Sequence, residues 1–455
     1  MADREQKREQ ASAASSAERK APPDALAPDA LERARRALVD AARAIGPDSL
    51  NACVRCGLCA QSCHIYLGEP DPKNHPGTKV ARVNELYRRQ ASFLGKHFPG
   101  LVGARDLTPE RLRELAEIAY GRCTACGRCG LHCSIGLDMA SAIRIARRAL
   151  VAAGIVPEGL QRTVDNQIET GNQMAIPQEE LVSTADWLAQ NLRDETADES
   201  AAIPLDVRGA RVLYLINPRE VKFFPLSLIA AAGVFHAARE SWTLSSRCYD
   251  VTNYGFFAGD ETAARELTDR VVKEAAELGV VEIVLSECGH GFRAFRWEGP
   301  NWMGRSYPLP VRSALEVVEE YLDQGRIRVD PSKNTEPVTL HDPCNLVRWG
   351  GLSEPQRRIL RRVVSDFREM VPNRADNFCC GGGGGMLSMS EFGERRVKSG
   401  RKKAEQIRNT AARIVATPCH NCADQLIEIS KHYQLGVEIQ SVVELVYNAL
   451  VREPA

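Results

Sequence analysis

The spacing of the cysteines constrains this chain more than any other feature. There are fifteen, and eight fall in two runs of identical pattern, Cys53-x2-Cys56-x2-Cys59-x3-Cys63 and Cys123-x2-Cys126-x2-Cys129-x3-Cys133. An odd count in a large chain does not make a disulfide framework. The N-terminus, Met1-Ala2-Asp3-Arg4-Glu5-Gln6-Lys7, also lacks the apolar run of a secretory signal. Cysteines in a reducing compartment bind metal or do redox chemistry. The longest strongly apolar stretch, Leu226 to Phe235, contains Ser227 and Gly233 and is too short to span a bilayer. Lys plus Arg and Asp plus Glu both number 59, so no overall basic field points to nucleic acid or an anionic membrane.

Gaps of two residues let three thiolates of one loop converge on one centre, while the fourth cysteine of the run completes the other centre in two-cluster ferredoxins. On that logic Cys53, Cys56, Cys59 and Cys133 hold one [4Fe–4S] cluster, and Cys123, Cys126, Cys129 and Cys63 hold a second. Zinc ribbons use paired Cys-x2-Cys rather than this triplet plus one. The usual proline after the fourth cysteine is replaced by His64 and Ser134. Two adjacent clusters make an electron wire, which does not identify a substrate.

The rest of the chain arranges itself around these runs. At 455 residues it suggests two or three domains. Residues 1–30 are poor in large apolar side chains and read as a disordered tail. Residues 31–155 read as helical. Leu31, Ala34, Leu38, Ala42 and Ile45 share one face, as do Val80, Val83, Leu86 and Tyr87. Thr108-Pro109 opens a helix through Leu112, Leu115 and Ile118, and Met139 to Ala153 forms another that ends at Gly154. Residues 156–208 are weakly patterned and read as a connector. From residue 209 on, the short apolar runs Val212–Ile216, Val281–Leu285, Val338–Leu340 and Ile414–Ala416 alternate with helical stretches, which predicts an α/β region with a largely parallel sheet. Cys288, Cys344, Cys419 and Cys422 follow these strands, where ligands sit in open parallel sheets.

Cys344, the adjacent pair Cys379-Cys380, Cys419 and Cys422 form a second set, Cys-x34-Cys-Cys-x38-Cys-x2-Cys. Five sulfurs from three loops suggest an enlarged metal centre. Gly381 to Gly385 would let backbone approach a bulky cofactor, and no Lys-Ser/Thr follows to make them a phosphate loop. The segments His341-Asp342-Pro343-Cys344-Asn345-Leu346, Phe378-Cys379-Cys380-Gly381-Gly382-Gly383, Pro418-Cys419-His420-Asn421-Cys422 and Glu287-Cys288-Gly289-His290 resemble the CCG-domain proteins of the heterodisulfide reductase catalytic subunit. With the paired cysteine runs, the resemblance is strongest to the D-type fusion and its DsrK-like relatives, and it covers about residues 45–450. It implies that Cys344, Cys379, Cys380, Cys419 and Cys422 bind a noncubane [4Fe–4S] cluster at which a disulfide is reductively cleaved. It also implies a membrane cytochrome b-type partner that exchanges electrons with a quinone, and a DsrC-like sulfur carrier or small heterodisulfide as acceptor. The setting would be anaerobic sulfur metabolism at the cytoplasmic face of the membrane, with attachment through the partner.

A shift of 131 residues lays Val281–Cys288 on Ala412–Cys419, Cys248 on Cys379, Tyr249 on Cys380 and Gly291 on Cys422. With a gap, Asn217-Pro218-Arg219 falls on Asp342-Pro343-Cys344. The α/β region thus reads as two pseudo-repeated CCG modules, 209–335 degenerate and 336–450 intact. Cys248 and Cys288 are either buried small hydrophobes or remnants near the site. In the second case Arg219, Cys288 and His290 would face the cluster, with His290 supplying protons. The basic runs Arg357, Arg358, Arg361, Arg362 and Arg395, Arg396, Lys398, Arg401, Lys402, Lys403 are solvated helix faces or a docking surface for an acidic partner. The resulting expectation is a catalytic subunit for disulfide or trisulfide chemistry. The rival is an electron-relay subunit of a glycolate- or lactate-oxidising complex.

Overall fold

Small side chains bring the first helices together. The structure, a computed structural model, describes residues 26–46 and 48–452. Most of the expected N-terminal tail, residues 1–25, lies outside the described residues. Helix Ala30–Ile45 buries Ala30, Ala34, Leu38, Ala41 and Ala42. It packs on Met139–Ala153, which buries the small residues Ala142, Ala146 and Ala149 along with Ile143 and Leu150. Asp138 caps that second helix by accepting from the Ala140 and Ser141 amides, and Gly154 ends it in the left-handed region. Helix Pro76–Ala91 adds Val80, Val83, Leu86 and Tyr87 to the same core. Thr108 caps Pro109–Ala116, and a π-helical turn, Glu117–Gly121, carries Ile118 into the core.

The α/β region holds two small, wholly parallel sheets. β1 (Val212–Leu215), β2 (Trp242–Thr243), β3 (Glu282–Leu285) and β4 (Val311–Ser313) form one, in the order β2-β1-β3-β4. β5 (Val338–Leu340), β6 (Phe367–Arg368), β7 (Ile414–Ala416) and β8 (Glu438–Gln440) form the other, in the order β6-β5-β7-β8. Leu213 pairs with Ile283 in the first, and Val338 with Ile414 in the second. Strands this short are stabilised by the helices that cover them, and the central strands of both sheets are buried.

Residues 156–208 are more than a connector. They contain helices Glu158–Thr170 and Gln178–Thr196. The second places Leu181, Ala185, Leu188, Ala189 and Leu192 in the core of the α/β region. The apolar stretch Leu226–Phe235 lies within helix Pro225–Ala237, which packs against the C-terminal helix Val442–Ala449. Among the described residues, no helix is long and apolar enough to cross a membrane.

Candidate metal centres

The eight cysteines of the two runs line two cavities, four in each. One is lined by Cys53, Cys56, Cys59 and Cys133, with His75, Gly77 and Ile135. The other is lined by Cys63, Cys123, Cys126 and Cys129, with His64, Lys79 and Thr124. The last cysteine of each run therefore faces the thiols of the other run. A short helix, His64–Gly68, starts immediately after Cys63. Burial pushes the Cys59 and Cys129 thiols above their ordinary value. A metal supplies the positive charge that such buried sulfurs lack, so the donor sets fit thiolate-bound clusters.

All five cysteines of the second set line a third cavity with Gly289, His290, His341, Pro343, Asn345 and Gly383. Cys344 follows β5, and Cys419 and Cys422 follow β7, with Cys422 in the first turn of helix His420–His432. Cys380 Sγ lies 3.5 Å from Cys422 Sγ. Hydrogen bonds from Cys126, Cys344 and Cys380 hold the Cys379 thiol well below its ordinary value. Both ring nitrogens of buried His341 lack hydrogen-bond partners. Burial, with Lys403 nearby, pushes its imidazole well below the usual range. Five convergent sulfurs beside an unsatisfied imidazole fit a metal-sulfur group rather than a packed core. Of the glycine run only Gly383 lines this cavity. A Cβ at Gly384 would stand 2.6 Å from the Thr124 carbonyl oxygen, so that glycine is there for the approach of the helical region. The run thus serves mainly close protein packing, where the sequence suggested approach to a cofactor.

The other singled-out residues separate. His290 lines the third cavity. Its Nδ1 lies 2.8 Å from Asn421 Nδ2, and its Nε2 has no nitrogen or oxygen partner. Cys288 is buried but off the cavity lining, its sulfur 3.4 Å from the Gly291 amide and 3.7 Å from Asn217 Nδ2. Arg219 is also off the lining and pairs with Asp424. Cys248 lies in a different cavity, with Gln167, Asp250, Thr252 and Arg270.

Spacing gave no sign of the residues that join the helical region to the third site. Thr124 Oγ1 lies 3.0 Å from His64 Nε2 and 3.7 Å from Cys379 Sγ. The ligand atoms of His64, Cys126 and Cys379 all fall within 4.8 Å of one another. Arg147, fully enclosed, donates to the carbonyls of Ala119, Cys123, Phe257 and Gly384. Arg348 donates to the Cys126 carbonyl, and Trp349 to that of Ala125. The basic runs find their acids inside the chain. Buried Arg357 binds Asp342 (2.6 Å) and Glu369 (2.8 Å). Arg358 pairs with Glu319, Arg362 with Asp323, and Arg396 with Glu428. Arg395 ties the third site to the helical region through Glu69, and Lys403 is buried against Asn377. Arg358, Arg361, Arg362, Lys398 and Arg401 keep about half of their side chains exposed while making such pairs.

Known families and proteins are similar to this chain. Residues 49–137 match the 4Fe-4S dicluster domain family, and residues 338–427 match the Cysteine-rich domain (CCG) family. The Hdr-like menaquinol oxidoreductase iron-sulfur subunit 2 of Archaeoglobus fulgidus is 29% identical over 88% of this chain and 80% of its own length. A dihydromethanophenazine:CoB–CoM heterodisulfide reductase subunit of Methanosarcina barkeri, of the D type, is 25% identical over 88% of this chain and 94% of its own. The EtfAB:quinone oxidoreductase of Syntrophomonas wolfei is 22% identical over 88% of this chain but 58% of its own length. The fold and the cysteine sites, with these matches, define an iron–sulfur oxidoreductase subunit. More particularly, the chain is similar to the D-type subunits of heterodisulfide reductases and is an iron–sulfur protein like them.

Proposed function

We propose that this chain passes electrons through two [4Fe–4S] clusters to a noncubane [4Fe–4S] centre at which an S–S bond is cleaved or formed. The observation that carries the reading is the approach of Cys126, in the second cavity, to Cys379, in the third, with their sulfurs within 4.8 Å of each other. A ligand of one centre abuts a ligand of the next, so electrons cross no protein gap between them. Cys53, Cys56, Cys59 and Cys133 hold the first cluster, and Cys63, Cys123, Cys126 and Cys129 the second. Cys344, Cys379, Cys380, Cys419 and Cys422 hold the third. When bound, the clusters supply one-electron couples and, at the third centre, iron with an affinity for sulfur. The overall reaction is RSSR′ + 2 e⁻ + 2 H⁺ → RSH + R′SH, or its reverse. Asn421 Nδ2 donates to His290 Nδ1, which leaves the imidazole proton on Nε2, beside Cys419, to serve the leaving thiolate. Electrons enter at the first cluster, whose surroundings expose Val54, Leu58, Leu131 and Ile135. The name of the Archaeoglobus fulgidus relative supports a quinol-linked donor. We assign that donor to a membrane cytochrome b-type subunit, which would hold the chain at the inner membrane face. The acceptor is a small heterodisulfide or trisulfide, or a DsrC-like carrier, in a sulfur-metabolising complex.

The duplication reading is supported by the matching strand orders and registers. The 131-residue offset carries Ile283 to Ile414, and the gapped offset carries Leu213 to Val338, the partners in both sheets. His290 and Asn421, which touch, are equivalent positions under the same offset. On this reading the modules 209–335 and 336–450 meet about an approximate twofold axis, and the first has lost its cluster.

Iron analysis of anaerobically purified protein tests the whole arrangement, with about twelve irons per chain expected for three such centres. Four or fewer would overturn it. Oxidation with a thiol present should give an EPR signal that responds to the thiol. A fully loaded chain without one would leave only an electron relay. Cys63→Ala should disturb the cluster of Cys123, Cys126 and Cys129. Loss confined to the cluster of Cys53, Cys56 and Cys59 would show that each run is self-contained.

A further inference from the structure

Helix Pro76–Ala91 begins beside the first cavity, which Gly77 lines, and ends in a projecting apolar tip. Two short helices, Phe93–His97 and Pro99–Val102, follow it, and the second buries none of its residues. Phe93 is 71% exposed, Leu94 49%, Phe98 52% and Leu101 81%. The tip is nonetheless fixed. Gly95 packs so closely on the Arg88 carbonyl that a Cβ there would stand 2.0 Å from its oxygen. Ser92 caps the first short helix through the Gly95 amide, and Arg88 donates to the Val102 carbonyl. No Asp or Glu occurs from Leu86 to Arg105, while Arg88, Arg89, Lys96 and Arg105 bring four positive charges. Asp106 neutralises Arg89 and Glu85 neutralises Arg105 at the base, which leaves the excess with Arg88 and the exposed tip residue Lys96.

We propose that the 93–102 tip inserts directly into the interfacial layer of an anionic lipid bilayer, so that the chain has a membrane contact of its own. Two phenylalanines and two leucines clustered on an ordered projection, with a lysine among them and no acid, match the chemistry of an interfacial anchor on anionic lipid. A projection suits a fluid surface, whereas a protein site for four such side chains would need a preformed groove. The net neutrality of the chain does not oppose this, because surface attraction acts within about a Debye length of the tip. The sixteen residues of helix Pro76–Ala91 span roughly 24 Å at 1.5 Å per residue, so a docked tip would hold the first cavity about that far along the helix from the lipid.

The test uses the full, cluster-loaded chain and co-sedimentation with phosphatidylcholine/phosphatidylglycerol vesicles, with pure phosphatidylcholine as the comparison. The chain should bind the mixed vesicles, and Phe93→Ser with Leu101→Ser should weaken binding at least about tenfold with iron content unchanged. Lys96→Glu should weaken binding to the mixed vesicles only. Failure of the unaltered chain to bind mixed vesicles overturns the proposal, as does equal binding by the double variant. Loss of a co-purifying membrane protein in the double variant, without vesicle binding by the unaltered chain, would assign the tip to a protein partner and overturn the lipid assignment.

Discussion

The β1–β4 and β5–β8 halves share a strand order but end their central strands in different chemistry. After β5 comes Asp342-Pro343-Cys344, and after β1 comes Asn217-Pro218-Arg219. After β7 two thiols, Cys419 and Cys422, face a cavity, whereas after β3 only Cys288 remains and its sulfur caps a helical turn at Gly291. A side chain at Gly291 is excluded, because its Cβ would stand 2.3 Å from the Val251 carbonyl oxygen. Arg219, which the proposed duplication aligns with Cys344, is taken up by Asp424 of the other half. One half thus keeps sulfur and space at its strand ends. The other has filled them with backbone and an ion pair, and contributes only Gly289 and His290 to the neighbouring cavity. A parallel-sheet edge is a place to put chemistry, and whether it holds a group or packs solid is decided by a few residues per loop.

The largest expected difference lies between Cys379 and Cys248, its counterpart on the duplication reading. Cys379→Ala should remove about four irons and take S–S turnover below roughly one hundredth, with both cubane clusters still reducible. Cys248→Ala should leave iron and turnover unchanged. Loss of iron from the Cys248 variant would mean that the β1–β4 half also binds a cluster, and the contrast would fail.

A smaller difference separates Asp342 from Asn217. Asp342 is 1% exposed and carries a charge, answered by Arg357, which is itself fully buried. Arg357→Met should cost about 3–5 kcal/mol, because it leaves a buried carboxylate without its partner. Asn217 is neutral and caps its helix through the Arg219 amide. Asn217→Ala should cost only about 1–2 kcal/mol, read as a shift in the urea midpoint. Equal costs would show that charge at the strand end is not what distinguishes the halves.

The sequence exposed whatever is local. β1, β3, β5 and β7 were legible as apolar runs, while the edge strands of two or three residues, such as β2 and β6, are too short for any period. The grouping of Cys63 with the second run followed from spacing alone. Helix Glu158–Thr170 was missed because half of what it buries, Thr163 and Gln167, is polar. Arg357 looked like a surface charge because its partners, Asp342 and Glu369, are brought to it by different loops. The join at Thr124 and Arg147 left no trace, since backbone carbonyls accept most of its bonds and any residue supplies a carbonyl.

His290 tests what the β1–β4 half still contributes. His290→Gln should lower turnover about a hundredfold and leave iron content unchanged, because it removes a positioned proton donor and spares every sulfur. A drop in thermal stability with turnover per iron intact would make His290 a packing residue.

Cys288, two residues earlier, should give the smallest effect. It occupies the position equivalent to Cys419, yet its sulfur meets the Gly291 amide and Asn217 within the buried core and is absent from the cavity wall. Cys288→Ala removes one buried sulfur and the acceptor for the Gly291 backbone amide and for Asn217 Nδ2. The cost should be about 1 kcal/mol of stability, without change in iron content, the thiol-responsive EPR signal or turnover. A Cys288→Ala protein with normal stability but depressed turnover would place this sulfur in the reaction, and the β1–β4 half would then share the chemistry that its other strand-end residues have given up.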